Sequence, residues 1–284
     1  MVESRWLILA VLFTARFALG NLHGFNPERD SVAETEMLEI DLWALAELDS
    51  VIRKVREAYD AYEFHAVYHA LYNFCTVTLS ARYFDIIKDR LYTFAPRNQA
   101  RRSAQTALYR IADALARLLA PILAFTSDEI WENLPANAES RPVSVHIATF
   151  PNALPDGDQR FANWEQLFAV REDVLRALEE ARIAKLIGSS LEARVEISAA
   201  GATFDLLEHY RDELRYLFIV SQVEVTRADT GTADVTIKIL AAEGDKCERC
   251  WNYSTRVGES SQYPTVCERC VSALEELEAE GLRA

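Results

Sequence analysis

Between residues 34 and 62 apolar side chains recur every seven positions. Leu38, Leu45, Ile52 and Tyr59 hold one register and Leu48, Val55 and Tyr62 another, with Asp41 breaking the second. A seam this narrow at helical period predicts one long amphipathic helix, roughly 40 Å at 1.5 Å per residue. Phe64, Val67, Leu71, Phe74 and Thr78 share one face of a second helix that continues towards Ile86. A third is expected from Arg97 to Phe125, with Leu108, Ile111, Leu115, Leu118 and Ile122 inward. Pro121 would kink it or end its regular part. Thr126-Ser127-Asp128-Glu129 reads as the cap of a short helix through Trp131 and Leu134. With residues 14–22 as a leading helix, the pattern predicts an antiparallel helical bundle over 14–135, preceded by a divergent segment, 1–13.

The period then changes. Pro135, Pro142, Pro151, Pro155 and Gly157 punctuate a linker over 136–159, with a brief alternation at 143–147. Phe161, Trp164, Leu167, Phe168, Leu175 and Leu178 mark a helix that Gly188 ends. Residues 193–197 alternate as a strand, 204–217 are helical, and 218–225 and 235–240 are strands again. Residues 160–240 therefore read as a helix plus a small α/β domain. The remainder, 241–284, holds four cysteines and an acidic helix from about Val271 to Glu280.

Those four are Cys247, Cys250, Cys267 and Cys270: C-x2-C, sixteen residues, C-x2-C. Two such pairs can fold back so that four sulfurs converge on one tetrahedral ion, the spacing of a zinc site. Two disulfides are the alternative, and they belong to an oxidising compartment. Four thiolates would close the coordination sphere and leave no position for water or substrate, so the ion expected is a single structural Zn2+. The expected fold class is thus mainly α: an antiparallel helical bundle followed by a small α/β domain and a four-cysteine zinc knuckle. Cys75, in an apolar stretch, reads as a buried inert thiol. His65 and His69 lie four apart, but Ala66 stands where H-E-x-x-H needs glutamate, so the pair reads as packed or capped. Glu275 and Glu276 read as surface.

Of 284 residues half are apolar, enough for a sizeable core; 30 are basic and 44 acidic, for a net charge of −14. Such a chain does not bind nucleic acid indiscriminately, although clustered cations can still bind it locally. One cluster exists: Arg97, Arg101, Arg102, Arg110 and Arg117 against only Asp113, and its ordinary reading is a solvated helix face. The apolar run 6–13 is too short to span a bilayer and lacks a small-x-small cleavage site, so neither membrane nor export is expected.

Several segments resemble one family in order. Thr14-Ala15-Arg16-Phe17-Ala18-Leu19-Gly20-Asn21-Leu22-His23-Gly24-Phe25-Asn26-Pro27 is similar to the opening of the anticodon-binding bundle of bacterial isoleucyl-tRNA synthetases. Residues 84–92 (FDIIKDRLY) and 126–131 (TSDEIW) resemble the same domain, and residues 185–193 (KLIGSSLEA) its helix-to-strand junction. Cys247-Glu248-Arg249-Cys250-Trp251-Asn252-Tyr253 and Cys267-Glu268-Arg269-Cys270 resemble its terminal zinc knuckle. The resemblance covers about 14–275. It implies a cytoplasmic, monomeric protein that binds the anticodon stem-loop of tRNA(Ile). The implied contacts are Arg16, Arg97, Arg101, Arg102, Lys185, Arg249, Trp251 and Tyr253. Single-stranded loops are read by stacking on aromatics and on base edges, with cations on the phosphates.

The departures are as informative. The family's H-x-G-H and K-M-S-K-S motifs are absent, and the only methionines are Met1 and Met37. Phe13 stands where the family has a polar residue. ATP therefore belongs to a full-length parent enzyme, and this chain by itself is expected to be inactive, lacking the catalytic and editing domains. A split gene would make a separately encoded catalytic part a partner. Two other readings compete. One is a zinc and helix scaffold that binds protein. The other is a DNA-glycosylase-type finger protein, which needs an N-terminal proline where this chain begins Met1-Val2-Glu3.

Overall fold

The computed structural model describes residues 2–135, 141–153, 161–228, 235–279 and 281, with side chains from residue 5 onward. The chain is mainly α and divides into two compact units, Met1–Leu91 with Pro96–Asp158, and Tyr92–Ala95 with Gln159–Ala284.

The first unit is a helical bundle. Its leading helix α1 spans Val2–Asn21, starting twelve residues before the expected 14. Leu7, Val11, Ala15, Ala18 and Leu22, spaced three and four apart, are buried along one face. The run 6–13 hid this period because the opposite face is apolar too: Trp6, Leu9 and Phe13 are exposed. A single turn, α2 (Pro27–Asp30), follows, capped by the Asn26 side chain.

The expected 34–62 helix is α3, Glu39–Asp60. Its ends fall short for local reasons. Glu34–Glu36 form a separate 3-10 turn, and Tyr62 has φ +58° and is exposed, outside the seam it was assigned to. Asp41, the break in the heptad pattern, is fully buried. Its carboxylate accepts hydrogen bonds from Tyr83 Oη at 2.6 Å, from Arg90 and from the Ser103 hydroxyl. Ser103 Oγ in turn accepts the Leu38 amide at 2.9 Å, at the α3 N-cap. A buried carboxylate persists only when paired and hydrogen-bonded in this way.

The second helix is one rod in three parts: α4 (Phe64–Asn73), a π-helical stretch (Phe74–Phe84) and α5 (Asp85–Thr93). Near its start the Thr76 hydroxyl donates to the Tyr72 carbonyl at 2.8 Å, which competes with the regular ladder. Phe64, expected inward, is half exposed and meets Tyr59 edge-on. Helix α6 (Gln99–Leu119) is capped by Asn98, whose side chain accepts the Ala100 amide at 2.9 Å, and it ends before Pro121. Its buried Ala104, Ala107, Ala112 and Ala116 let α1 and α3 approach closely.

Helix α7 spans Ala124–Asn133, so Thr126–Glu129 lie inside it and do not cap it. Asp128 instead accepts Ser144 Oγ at 2.8 Å and the Val145 amide at 3.1 Å, clipping the 3-10 turn Val145–Ile147 to the bundle.

The second unit begins with α8, Ala162–Ile183, packed on a three-stranded sheet. Strands β1 (Ala193–Ala199), β2 (Gln222–Arg227) and β3 (Thr236–Ala241) lie in the order β2-β1-β3. β1 is parallel to β2, with Val195 opposite Val223, and antiparallel to β3, with Val195 opposite Ile239. Ala193, Val195, Ile197 and Ala199 alternate into the core. The parallel pair needs a crossover, supplied by α9 (Gly201–His209) and α10 (Leu214–Phe218). The expected 204–217 helix is thus two, and Phe218 closes the second where a strand was expected. A two-stranded ribbon, β4 (Asp245–Lys246) and β5 (Tyr253–Ser254), and α11 (Glu268–Ala279) complete the unit. No helix among the described residues is long and apolar enough to cross a membrane.

Candidate functional site

The four cysteines come from two tight turns. The β4–β5 ribbon presents Cys247 and Cys250, and Cys267 and Cys270 flank the start of α11. Gly244, just before β4, has φ +86°, and a Cβ there would lie 2.3 Å from the Ser254 carbonyl carbon, so only glycine lets the ribbon close. The first turn is held by the Cys247 amide on the Asn252 carbonyl, 2.8 Å, and by the Trp251 amide on the Cys247 carbonyl, 2.9 Å. The Glu248 amide on the Thr265 carbonyl, 3.0 Å, brings the second turn alongside.

All four thiols are free and buried, and their sulfurs lie within 4.8 Å of one another, Cys250 and Cys267 at 3.6 Å. A tetrahedral zinc ion with Zn–S near 2.3 Å requires sulfurs about 3.8 Å apart, so the set fits that ion. Four sulfurs this close cannot all ionise unaided. Hydrogen bonds from Cys267 and Cys270 draw the Cys250 thiol far below its ordinary value. The same bonds push Cys267 up to about 11 and Cys270 higher still. A divalent cation resolves this conflict by stabilising every thiolate. The surroundings assist. The Cys267 amide donates to Cys247 Sγ at 3.3 Å, and an Arg249 nitrogen lies 3.6 Å from Cys270 Sγ while donating to the Thr93 carbonyl. Around the cluster only Val266 and Leu274 are buried aliphatic side chains.

The expected nucleic-acid contacts divide between the two units. In the bundle, Arg16 and Arg97 are exposed, and Arg101 and Arg102 are half-buried. Arg102 is committed to the fold: it donates to Gln105 at 2.9 Å, lies 3.5 Å from Asp30, and sits over the Phe25 ring. Arg110 pairs with Glu34 and Arg117 with Asp113, so the arginine cluster serves the bundle's own acids as well as solvent.

In the second unit, Lys185 is exposed at the end of α8 with φ +59°. The Lys185 amide on Arg182 O at 3.0 Å and the Leu186 amide on Ala181 O at 2.9 Å form a Schellman closure. Glycine is the usual residue there, and the chain places it three positions later, at Gly188. Arg249 is half-buried and faces the sulfurs, and Tyr253 is half-buried in β5 with its amide on Ser221 Oγ at 2.7 Å. Trp251 stands out: it is 61% exposed, has φ +65°, and Lys246 Nζ lies 5.6 Å from its ring centroid. Lys246 is a residue that sequence reasoning missed. The signal was its place beside Cys247, since a knuckle that returns on itself brings the residue before the first cysteine back to the residue after the second.

Comparison with known proteins agrees with this geometry. Residues 41–197 match the anticodon-binding domain of tRNA ligase, and residues 244–273 match the zinc finger found in FPG and IleRS. The isoleucine–tRNA ligase of Syntrophotalea carbinolica is 51% identical over 92% of this chain and 29% of its own length. Those of Symbiobacterium thermophilum and Geobacter sulfurreducens are 46% and 43% identical, each over 92% of this chain and 29% of their own. The chain thus spans under a third of the length of the curated relatives it matches. A domain match over more than half the chain, and a finger match centred on the four buried sulfurs, assign it: the chain belongs to the anticodon-binding domain family of tRNA ligases, as a part of an isoleucine–tRNA ligase that carries that domain and the zinc finger.

Proposed function

We propose that the chain is the tRNA-binding part of an isoleucine–tRNA ligase, acting as a cytoplasmic monomer on the anticodon stem-loop of tRNA(Ile). The observation that carries the reading is Trp251. An exposed indole, held on a strained backbone beside a closed four-thiolate site and flanked by a lysine, is a platform for an unstacked base. One structural zinc ion on Cys247, Cys250, Cys267 and Cys270 fixes the turn that aims it. Arg249 positions the cluster through Cys270 and Thr93 and touches no RNA. Arg16, Arg97, Lys185 and Lys246 contact phosphates, Tyr253 and Arg101 support these surfaces, and Arg102 is structural. ATP use and aminoacyl transfer belong to parts of the ligase outside the matched segment.

Fluorescence titration of the zinc-loaded chain with tRNA(Ile) and with a second tRNA, at one fixed salt concentration, tests this. The expected result is a preference for tRNA(Ile) that Trp251→Ala lowers at least tenfold with zinc retained. Equal affinity for both tRNAs overturns it. One observation favours a second reading, a scaffold that binds protein: α1 leaves Trp6, Leu9 and Phe13 exposed on one side. A separately encoded catalytic part is the partner this face would take, and sedimentation of the chain with such a part separates the two readings.

A further inference from the structure

The two cysteine turns share one sequence, Cys247-Glu248-Arg249-Cys250 and Cys267-Glu268-Arg269-Cys270. Their arginines hold the same place in each turn, and they reach crosswise. Arg249, in the first turn, puts a nitrogen 3.6 Å from Cys270 Sγ of the second. Arg269, in the second turn, hydrogen-bonds to the Cys250 sulfur of the first. Each turn therefore grips the other through a guanidinium. Charge favours the arrangement. Four thiolates on one divalent ion leave two negative charges in excess, and two arginines balance them. Groups that donate to ligating atoms in this way orient the ligands and tune the metal site.

The same two arginines hold a short stretch of chain that belongs to neither turn. Residues Tyr92–Ala95, where α5 ends, group with the second unit and not with the bundle. The Arg249 nitrogen that faces Cys270 also donates to the Thr93 carbonyl. The Arg269 guanidinium lies 5.1 Å from the Phe94 ring centroid and 5.8 Å from that of Tyr216. Phe94 and Tyr216 meet edge-on, at 77°. A cation over two rings and a donor on one carbonyl fix this stretch at adjacent residues. Both fixing groups are anchored on sulfurs.

We propose that Arg249 and Arg269 are positioning residues that make the order of Tyr92–Ala95 depend on the zinc site. With the four thiolates held together, the arginines stay on the sulfurs and clamp Thr93 and Phe94. When the thiolates separate, the clamp opens. This role rests on the zinc reading of the four cysteines and is independent of the tRNA reading.

The test uses the full chain loaded with zinc or with cobalt(II). Metal affinity is read by competition with a chromophoric chelator, and order by amide hydrogen exchange over residues 92–95. Arg249→Gln and Arg269→Gln should each bind zinc about tenfold more weakly. At saturating zinc each should also lose about fivefold of the exchange protection over 92–95, the size expected when one of the two anchors is cut. In the cobalt form, loss of a hydrogen bond to sulfur should move the thiolate-to-metal charge-transfer band to longer wavelength, which a general folding defect would not do. Phe94→Leu leaves both arginines on the sulfurs, so it should lose protection as Arg269→Gln does while zinc affinity and the band stay in place. Removal of zinc from the parent should cost that protection too. A parent that binds no zinc overturns the zinc reading and this role together. A parent that binds zinc but is equally protected over 92–95 with and without it overturns this role alone. So does unchanged protection in Phe94→Leu, or an unmoved band in both arginine variants.

Discussion

Replacing Lys185 by glycine should make the protein more stable and a weaker RNA binder. Lys185 occupies the left-handed position after α8, at φ +59°, closed by the amides of Lys185 and Leu186 on Arg182 and Ala181. A side chain there costs about 1–2 kcal/mol relative to a residue without Cβ. Glycine returns roughly 0.4–1 kcal/mol of that by loosening the unfolded chain. The net expectation is a gain of about 0.5–1 kcal/mol for Lys185→Gly. Lys185→Ala keeps the strain and loses only the exposed charge, so its stability should match the parent within about 0.5 kcal/mol. Amide hydrogen exchange along α8, which reports this unit alone, measures the first effect, and tRNA titration at fixed salt measures the second. Both variants should bind equally weakly while differing in stability. If glycine is no more stable than alanine, the strained cap does not cost what its geometry implies. If both bind as tightly as the parent, Lys185 is not retained there for RNA.

Chelation of zinc should unfold residues 244–274 and leave the bundle helical, because Val266 and Leu274, with the partly buried Val257, Tyr263, Val271 and Leu277, make too small a core without the metal; proteolysis of this segment that is the same with and without chelator would refute it. Asp41→Ala should cost the bundle about 3–5 kcal/mol in urea denaturation, since it strands the buried Arg90 and frees Tyr83 and Ser103. The double variant Asp41→Leu with Arg90→Leu should cost less than Asp41→Ala, and an additive result would show that the pair is not coupled. Burial, reinforced by the Asp41 carboxylate, holds the Tyr83 hydroxyl neutral well above its ordinary 10.0. The folded value is the raised one, so this contribution is complete below pH 10 and is lost as pH rises beyond it. The urea midpoint of the bundle should stay level to about pH 10 and then fall, and the fall should shrink in Tyr83→Phe.

How far the sequence foretold the structure depends on what each residue's neighbours could be. The cysteine spacing is a local rule, and its geometry followed. The helical seams were legible wherever one face was apolar and the other polar, as in α3 and α6. α1 was not, because its first turns are apolar all round and carry no period. Asp41 looked like a fault in a heptad. Its reason lies in Tyr83, Arg90 and Ser103, distant in sequence, which no periodicity reports. Thr126–Glu129 had the composition of a cap, but α7 begins two residues earlier and Asp128 is used to clip the 145–147 turn. Among the site residues, Lys185 and Trp251 could be named from motifs, yet their left-handed backbone could not. Lys246 was invisible until the ribbon returned it to Trp251.

That arrangement bears on how such an acidic chain could hold a polyanion. With a net charge of −14, long-range attraction is against it, and three of the five clustered arginines, Arg102, Arg110 and Arg117, face acidic partners in the bundle. The cations proposed for phosphates are then four exposed and separate ones, Arg16, Arg97, Lys185 and Lys246. Affinity must then come more from stacking on Trp251, worth about 1–3 kcal/mol per base, than from phosphate neutralisation. Each phosphate contact to a single strand adds about −0.7 to the slope of log K against log salt, so four contacts give a slope of about −3. Titration of the anticodon stem-loop over a tenfold salt range should return that shallow slope. Trp251→Ala should lower affinity at every salt concentration without changing the slope, whereas Lys185→Ala should make it less steep by about 0.7. A slope steeper than about −5 would mean that a basic surface not identified among the described residues dominates binding, and the stacking argument would fall.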